Sequence, residues 1–439
     1  MKPRKKALDI LVCVQKDGAY SNLEIASSLA GFETQDKAFI TRLVYGTLGN
    51  KIQSDYILGQ YLSKPIEKLD TEVLLILEMA VYQHFYMDSV PDYAIINESV
   101  ELTRKCGKSS ASGFVNGVLR KALSAKMDFS SLPEGTAYRL SITYSVQKEI
   151  CSLIMRQYGE KAEEIIKNSR DVPPFTLRTN TLKITSEELI NKFLKKGINA
   201  SQGKICPDCI EIKGTLNVAE DELFKEGLYY PQNEASAMAA YVLAPNAGET
   251  VIDMCAAPGG KTSYIAQLMG NKGKIHAFDL YEHKMKIISD TARRLGVDII
   301  YPSICDGTVY NEDYKESADK VIVDCPCSGL GIIRKKPELE FKKSNLPEIQ
   351  YKILENAAKY LKTGGEMVYS TCTLNKEENI VNVQKFLDNH KNFEMCDIER
   401  YFKGFCEQGK GWVQILTGEF GMDGFFIAKL KKVGEEEKL

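Results

Sequence analysis

The sequence predicts a multidomain chain: an all-α N-terminal bundle, a small α+β middle unit and a C-terminal α/β unit built on a doubly wound, mostly parallel sheet. Three observations carry this. Residues 1–127 show apolar stripes at helical spacing and little strand signal. Residues 128–235 mix a linker-like stretch, helices and short alternating segments. Residues 236–433 alternate strand and helix, the rhythm of a parallel sheet covered by helices on both faces.

In the first region Ile40, Val44, Leu48 and Ile52 fall on one stripe, with Phe39 and Leu43 beside it. Residues 69–86 are apolar nearly all round, which predicts a buried helix. Pro91-Asp92 opens a third helix through Ile95, Ile96, Val100 and Leu102, and residues 114–120 lie in a fourth. In the second region residues 129–135 read as linker. Residues 141–170 read as one helix, ended by Pro173-Pro174. A strand at 175–180 follows, then a helix at 185–196 capped by Thr185 or Ser186, then a short strand at 210–212. In the third region strands are predicted at 250–254, 274–279, 298–304, 320–324 and 366–371, with helices between them such as 283–295 and 346–361.

Composition bounds the function. The chain has 439 residues, 44% hydrophobic and 26% charged, enough apolar material for more than one core and unlike a fibrous or disordered protein. No run approaches the ~20 apolar residues of a membrane helix. The start, Met1-Lys2-Pro3-Arg4-Lys5-Lys6, is basic, but the apolar part behind it is short, holds Asp9 and lacks a small-residue cleavage site, so a cytoplasmic protein is expected. The 12 cysteines are then expected to be reduced. Cys206-Pro207-Asp208-Cys209 is a lone CxxC in a chain with four His, and it reads as a turn between two strands with no metal. The net charge is −2 and no region is basic overall, so any nucleic-acid contact must rest on local clusters.

The chemistry is written at the predicted strand ends, where open α/β sheets bind ligands. The first strand runs into Cys255-Ala256-Ala257-Pro258-Gly259-Gly260-Lys261-Thr262. Small residues let backbone approach a ligand, and the following helix presents free N–H groups. A phosphate-binding GxxxxGK is excluded because Cys255 stands where the first glycine must be, and GxGxxG is absent. Asp279 closes the second strand, roughly 20 residues on, where a carboxylate commonly accepts ribose hydroxyls. Asp306 follows the third strand and Asp324 ends the fourth. One such Asp is ordinarily a cap or turn residue; three at successive strand ends, with a glycine loop on the first, point to an adenosine-type ligand. Cys327 and Cys372 follow the fourth and fifth strands and so sit at the same edge. Most cysteines in such a chain are small hydrophobes, but a thiol at a ligand-binding edge is a candidate nucleophile.

These runs, with Asp253-Met254 before the loop, Asp324-Cys325-Pro326-Cys327-Ser328-Gly329 and Ser370-Thr371-Cys372-Thr373, resemble the RNA cytosine-5 methyltransferases. Asp423-Gly424-Phe425-Phe426-Ile427-Ala428 resembles that family's last hairpin, and residues 36–48, 97–102 and 114–119 resemble the all-helical fold of the antitermination factor NusB. The resemblance covers essentially the whole chain. It implies a NusB-like RNA-binding domain over 1–127, a small α+β domain over 128–235, and a Rossmann-like S-adenosylmethionine-dependent methyltransferase domain over 236–433. It implies action on small-subunit (16S) ribosomal RNA, with the target base unstacked to enter the site; nothing in the sequence demands a dimer, and a monomer is expected. It further implies that Cys372 is the nucleophile, Cys327 assists product release, Asp324 holds the cytosine, and Lys261 lies near cofactor and substrate. The cofactor site would comprise Cys255, Ala256, Ala257, Pro258, Gly259, Gly260, Lys261, Asp279 at the ribose, Asp306 by the adenine, and Asp324. Two positions depart from the family's pattern: Cys325 stands where Ala or Pro is common, and Phe341 where Trp is frequent. The basic run Arg334-Lys335-Lys336, ahead of Pro337, is a candidate phosphate contact.

Three other readings compete. A DNA cytosine-5 methyltransferase would use Cys327 as nucleophile and leave Cys372 and the helical region unexplained. A non-catalytic RNA-binding or assembly factor would leave the loop and both cysteines without purpose. A nicotinamide oxidoreductase lacks its glycine fingerprint.

Overall fold

The structure, a computed structural model, describes residues 2–434 apart from 18–20, 30, 89, 125–126, 172, 215 and 336–344. It divides into two compact units, the first made of Met1–Arg170 together with the short segment that begins at Ile333, the second of Asp171–Ile332 and the rest of the chain after that segment.

The first unit is helical: α1 Lys2–Asp17, α2 Ser21–Ser28, α3 Thr34–Gly49, α4 Lys51–Gly59, α5 Thr71–Tyr86, α6 Asp92–Lys105, α7 Ser112–Ala122, α8 Ala137–Tyr144, α9 Lys148–Tyr158 and α10 Ala162–Asn168. Helix α5 is the buried axis expected from its sequence. Asp70 caps it, accepting from the Glu72 and Val73 amides at 3.2 and 3.4 Å. Val73 to Tyr82 are buried on every side against Leu8 and Leu11 of α1, Ile40 and Val44 of α3, Leu102 of α6 and Leu119 of α7. Burying such a helix contributes about 1.5–3 kcal/mol per large apolar side chain.

Two local expectations change. The stripe through Ile40 and Ile52 does not belong to one helix: the chain breaks at Asn50, whose side-chain amide donates to the Gly46 carbonyl at 2.8 Å. The single helix expected over 141–170 is three, because Ser145 turns left-handed (φ 49°) and Gly159 (φ 54°) ends α9. Helices α8–α10, grouped by sequence with the middle region, lie in the same compact unit as α1–α7.

The second unit opens with a small antiparallel sheet. Its elements are β1 Phe175–Thr179, α11 Ser186–Lys195, β2 Asn199–Gln202, β3 Cys209–Lys213, α12 Glu222–Lys225 and β4 Tyr229–Pro231, with strand order β2-β3-β1-β4. Thr185 is the cap of α11, in a reciprocal capping box with Glu188. Cys206 and Cys209 lie at the turn between β2 and β3, as the sequence suggested.

The chain continues through α13 Glu234–Leu243, β5 Thr250–Asp253, α14 Gly260–Leu268, β6 Lys274–Asp279, α15 Glu282–Leu295, β7 Ile300–Ile304, β8 Ala318–Asp324, α16 Leu346–Tyr360, β9 Leu361–Thr371, α17 Ile380–Asn389, β10 Phe393–Met395, β11 Glu407–Gly409, β12 Trp412–Ile415 and β13 Phe425–Lys432. Among the described residues nine strands form one mixed sheet, ordered β11-β12-β13-β9-β8-β5-β6-β7, with β10 pairing β13. The run from β9 to β7 is parallel, and β13 adds antiparallel to β9. The order reverses at β5, which has β6 on one side and β8 on the other, and this switch point opens a crevice beyond the strands' carboxyl ends. Val251, Ile252, Ile322, Val323, Val368 and Tyr369 are fully buried in this parallel core, in keeping with strands covered on both faces.

Candidate active site

The loop leaving β5 forms the floor of the crevice. Asp253, the last residue of β5, is buried and accepts the Thr262 hydroxyl at 2.6 Å. Burial pushes its carboxyl up to about 7, against the pull of Thr262. The Ala256 amide donates to the Phe278 carbonyl at 2.7 Å, which ties the loop to β6. Gly259 takes φ 98°, a left-handed conformation that L side chains resist. A Cβ on Gly260 would stand 2.9 Å from the Tyr230 ring. The two glycines therefore answer different demands, one of backbone turn and one of close approach.

Asp279 at the end of β6 accepts the Ala257 amide at 3.2 Å on one oxygen and pairs with Lys284 at 3.1 Å on the other. Asp306 is exposed on the loop after β7, and its Oδ1 accepts both the amide and the hydroxyl of Thr308. Asp324 ends β8. Its Oδ2 lies 2.7 Å from Lys261 Nζ, and its Oδ1 accepts the Ser370 hydroxyl at 2.7 Å. Lys261 Nζ also sits 5.3 Å above the Phe425 ring of β13.

A cleft of ≈ 230 Å³ is lined among others by Tyr230, Asn233, Ser236, Asp253, Ala257, Lys261 and Asp324, while Asp279 and Asp306 lie outside its lining. Sequence reading did not find Tyr230, Asn233 or Ser236. Asn233 had a legible signal: it caps α13, accepting from the Ala235 and Ser236 amides, while its amide nitrogen donates to Asp423 at 2.7 Å.

Beside this cleft the two thiols meet. Asp324 and Ser370 are paired in the β8–β9 register, so the residues that follow them emerge side by side. Cys327 Sγ and Cys372 Sγ are 3.2 Å apart. The bond with Cys372, burial and the Glu378 charge push the Cys327 thiol well above its ordinary range. Desolvation does the same for Cys325 and Cys255, with the charge of Asp324 adding to it. Cys325 is buried in an apolar cluster with Met254, Val323 and Tyr369. Arg334 and Lys335 lie in a short 3₁₀ turn, Ile333–Lys335; Lys336, Pro337 and Phe341 fall outside the described residues.

Family models match three stretches of the chain. The 16S rRNA methyltransferase RsmB/F family matches residues 240–431, the NusB family matches 1–124, and the ferredoxin-like domain of RsmF/B-like methyltransferases matches 150–219. A probable ribosomal RNA small subunit methyltransferase B of Bacillus subtilis (strain 168) is 37% identical over 446 residues, covering 98% of this chain and 99% of the relative. The chain belongs to the 16S rRNA methyltransferase RsmB/F family. A probable ribosomal RNA small subunit methyltransferase B of Synechocystis is 30% identical at 98% and 99% coverage. The crystal structure of PH0851 superposes with a TM-score of 0.83 at 27% identity, covering 98% of this chain and 99% of that one.

RsmB/F membership makes S-adenosylmethionine the cofactor, and the residues present fit it. The β5 loop offers close backbone approach at Gly259 and Gly260. The carboxylate of Asp279 is fixed at the end of the neighbouring strand, and the acids Asp253 and Asp324 stand in the lining of the cleft. Helices α1–α7 correspond to the NusB part of RsmB/F proteins, α10, most of α9 and the first strands of the small antiparallel sheet to the ferredoxin-like part, and the mixed sheet to the methyltransferase part. Among the described residues no helix is long and apolar enough to cross a membrane, and no group of three or more His, Cys, Asp or Glu could hold a metal ion.

Proposed function

We propose that this chain transfers the methyl group of S-adenosylmethionine to carbon 5 of a cytosine in small-subunit (16S) ribosomal RNA, through a covalent bond to Cys372. The observation that carries the reading is the 3.2 Å approach of Cys372 and Cys327 beside the Lys261–Asp324 pair. The family supplies the chemistry of methyl transfer to ribosomal RNA; the paired thiols and the carboxylate supply the choice of atom.

Carbon 5 of cytosine is a poor nucleophile. The thiolate of Cys372 adds to carbon 6, and the electron pair displaced from the 5,6 double bond makes carbon 5 nucleophilic. Asp324, held by Lys261 and Ser370, accepts from the exocyclic amine of the base and passes a proton to ring nitrogen 3 as the addition moves electron density there. After methylation, Cys327 acting as a thiolate takes the proton from carbon 5, that C–H electron pair re-forms the 5,6 double bond, and the Cys372 sulfur leaves carbon 6 as a thiolate. Cys327 stands next to the departing sulfur and serves this release. Residues 255–261 with Asp279, Asp306 and Asp324 would hold the cofactor. In this reading residues 1–127 bind RNA, 128–235 form the small α+β domain, and 236–433 carry the catalysis, in a cytoplasmic monomer.

Single-cysteine variants test the assignment. Cys372→Ala is expected to abolish methyl transfer, and Cys327→Ala to accumulate a protein–RNA adduct that survives denaturing electrophoresis. Bisulfite sequencing of 16S ribosomal RNA with and without the protein locates the target. Full activity in Cys372→Ala would refute the nucleophile.

A further inference from the structure

The two thiols stand on loops leaving β8 and β9, whose backbones meet where the Cys325 amide donates to the Ser370 carbonyl at 3.1 Å and the Gly331 amide to the Cys372 carbonyl at 3.0 Å. Between these two backbone ties a buried carboxylate adds a side-chain link. Glu378 is buried, 2% exposed. Its Oε2 accepts the Ser328 amide at 2.9 Å and Gln350 Nε2 at 3.0 Å. Its Oε1 accepts the Ser328 hydroxyl at 2.6 Å and Asn375 Nδ2 at 3.1 Å. Gln350 also donates to the Pro326 carbonyl at 2.9 Å, and the Ser328 hydroxyl lies 2.7 Å from the Thr373 hydroxyl. The residues on both sides of Cys327, and the residue after Cys372, are thus bound into one network. The Tyr369 hydroxyl fixes the backbone of Glu378 itself, donating to its carbonyl at 2.6 Å.

We propose that Glu378 is a positioning residue for the methyl-transfer reaction, tying the Cys327 loop to the segment after Cys372 and so setting the distance between the two sulfurs. The proposal rests on the two-thiol reading of the site. Among the described residues no lysine or arginine pairs with Glu378. A buried carboxylate without a cation is costly unless its lone pairs are filled. Here four neutral donors fill them, as charge-assisted bonds. Glutamine at this position offers one acceptor oxygen and a donor NH₂, so at least one of the four donors would face another donor. The network therefore demands a carboxylate, where mere filling of the space would not. The Glu378 charge also lies close enough to raise the Cys327 thiol, which helps to keep that cysteine a proton carrier.

The test compares Glu378→Gln and Ser328→Ala with the unchanged full-length protein. Four quantities are measured: melting temperature, S-adenosylmethionine affinity by calorimetry, kcat and KM on a 16S ribosomal RNA fragment, and the rate at which diamide joins Cys327 to Cys372, read by peptide mass spectrometry. In that last reaction the two thiols lose two protons and two electrons to the diamide azo bond, so its rate gauges their approach. Glu378→Gln is expected to lower kcat and the cross-linking rate by about tenfold or more, while cofactor affinity and KM stay within about twofold. Ser328→Ala keeps the charge and removes the hydroxyl link, and is expected to slow cross-linking several-fold; it carries the test if Glu378→Gln does not fold. Unchanged cross-linking in the folded variants, with or without a lower melting temperature, would overturn the proposal. The gauge does not depend on which cysteine attacks. Slowed cross-linking together with an active Cys372→Ala would remove the proposed chemistry and leave the positioning of the loops intact.

Discussion

Lys261 and Asp324 form a 2.7 Å ion pair across the crevice between β5 and β8, with side chains only 12% and 28% exposed. Neither is a surface pair worth a fraction of a kcal/mol. The lysine comes from the first turn of α14 and the aspartate from the end of β8, so the bond closes the site from both sides of the switch point. Replacing Asp324 by Asn keeps the shape and removes the charge. It should lower kcat by about 10²-fold or more if, as proposed above, the group faces the reacting base. Lys261→Met leaves the carboxylate without its cation and should weaken both cofactor affinity and rate. Single-turnover methylation together with calorimetry separates the two effects. Asp324→Asn acting at full rate would show that the carboxylate does not touch the reaction.

Asp253 supplies a pH test. Its carboxyl is raised from 3.8 to about 7 in the folded protein, chiefly by burial. A group that holds its proton more tightly when folded favours the folded state at low pH. That advantage is lost as pH rises from about 4 toward 7, where the unfolded chain has released the proton and the folded one must pay to do so. The wild-type melting temperature should therefore fall relative to that of Asp253→Asn across this window, and the gap should become constant above about pH 7. Parallel melting curves for the two proteins from pH 4.5 to 8 would mean that Asp253 is ionised in the folded state.

Much of this was readable before any coordinates. The strands carrying Asp253, Asp279 and Asp324 have the apolar runs of buried parallel strands, and the β5 loop declares itself because close approach and left-handed turns need glycine. Cys327 and Cys372 were brought together by topology alone, since consecutive parallel strands end at the same edge. The unread features depend on partners distant in sequence. Glu378 sits in an ordinary acidic run and acquires its setting only through Ser328, 50 residues earlier. Helix breaks at Asn50 and Ser145 were missed because neither residue is glycine or proline. Residues 407–409 and 412–415 are too short to signal that the sheet continues past β13.

Arg178 is a further such residue, and its test is sharp. It lies on β1 with no exposed surface. Its guanidinium donates to the Gly260 carbonyl at 2.5 Å, to the Ser263 hydroxyl at 3.0 Å and to Gln232. It also packs 4.8 Å from the Tyr264 ring and 5.3 Å from the Tyr230 ring. The small sheet thus grips the first turn of α14 from behind, at the glycine beside Lys261. A lysine reaches this position but cannot span three acceptors with one nitrogen or lie flat between two rings. Arg178→Lys should destabilise the fold by about 2–4 kcal/mol, the scale of a broken buried polar network. Because the loop it steadies is the proposed cofactor loop, S-adenosylmethionine affinity should fall about tenfold in the folded variant, which is a loss of about 1.4 kcal/mol. Urea denaturation and calorimetry measure the two separately. Lost stability with unchanged affinity would make Arg178 a support of the small sheet alone, without influence on the loop it touches.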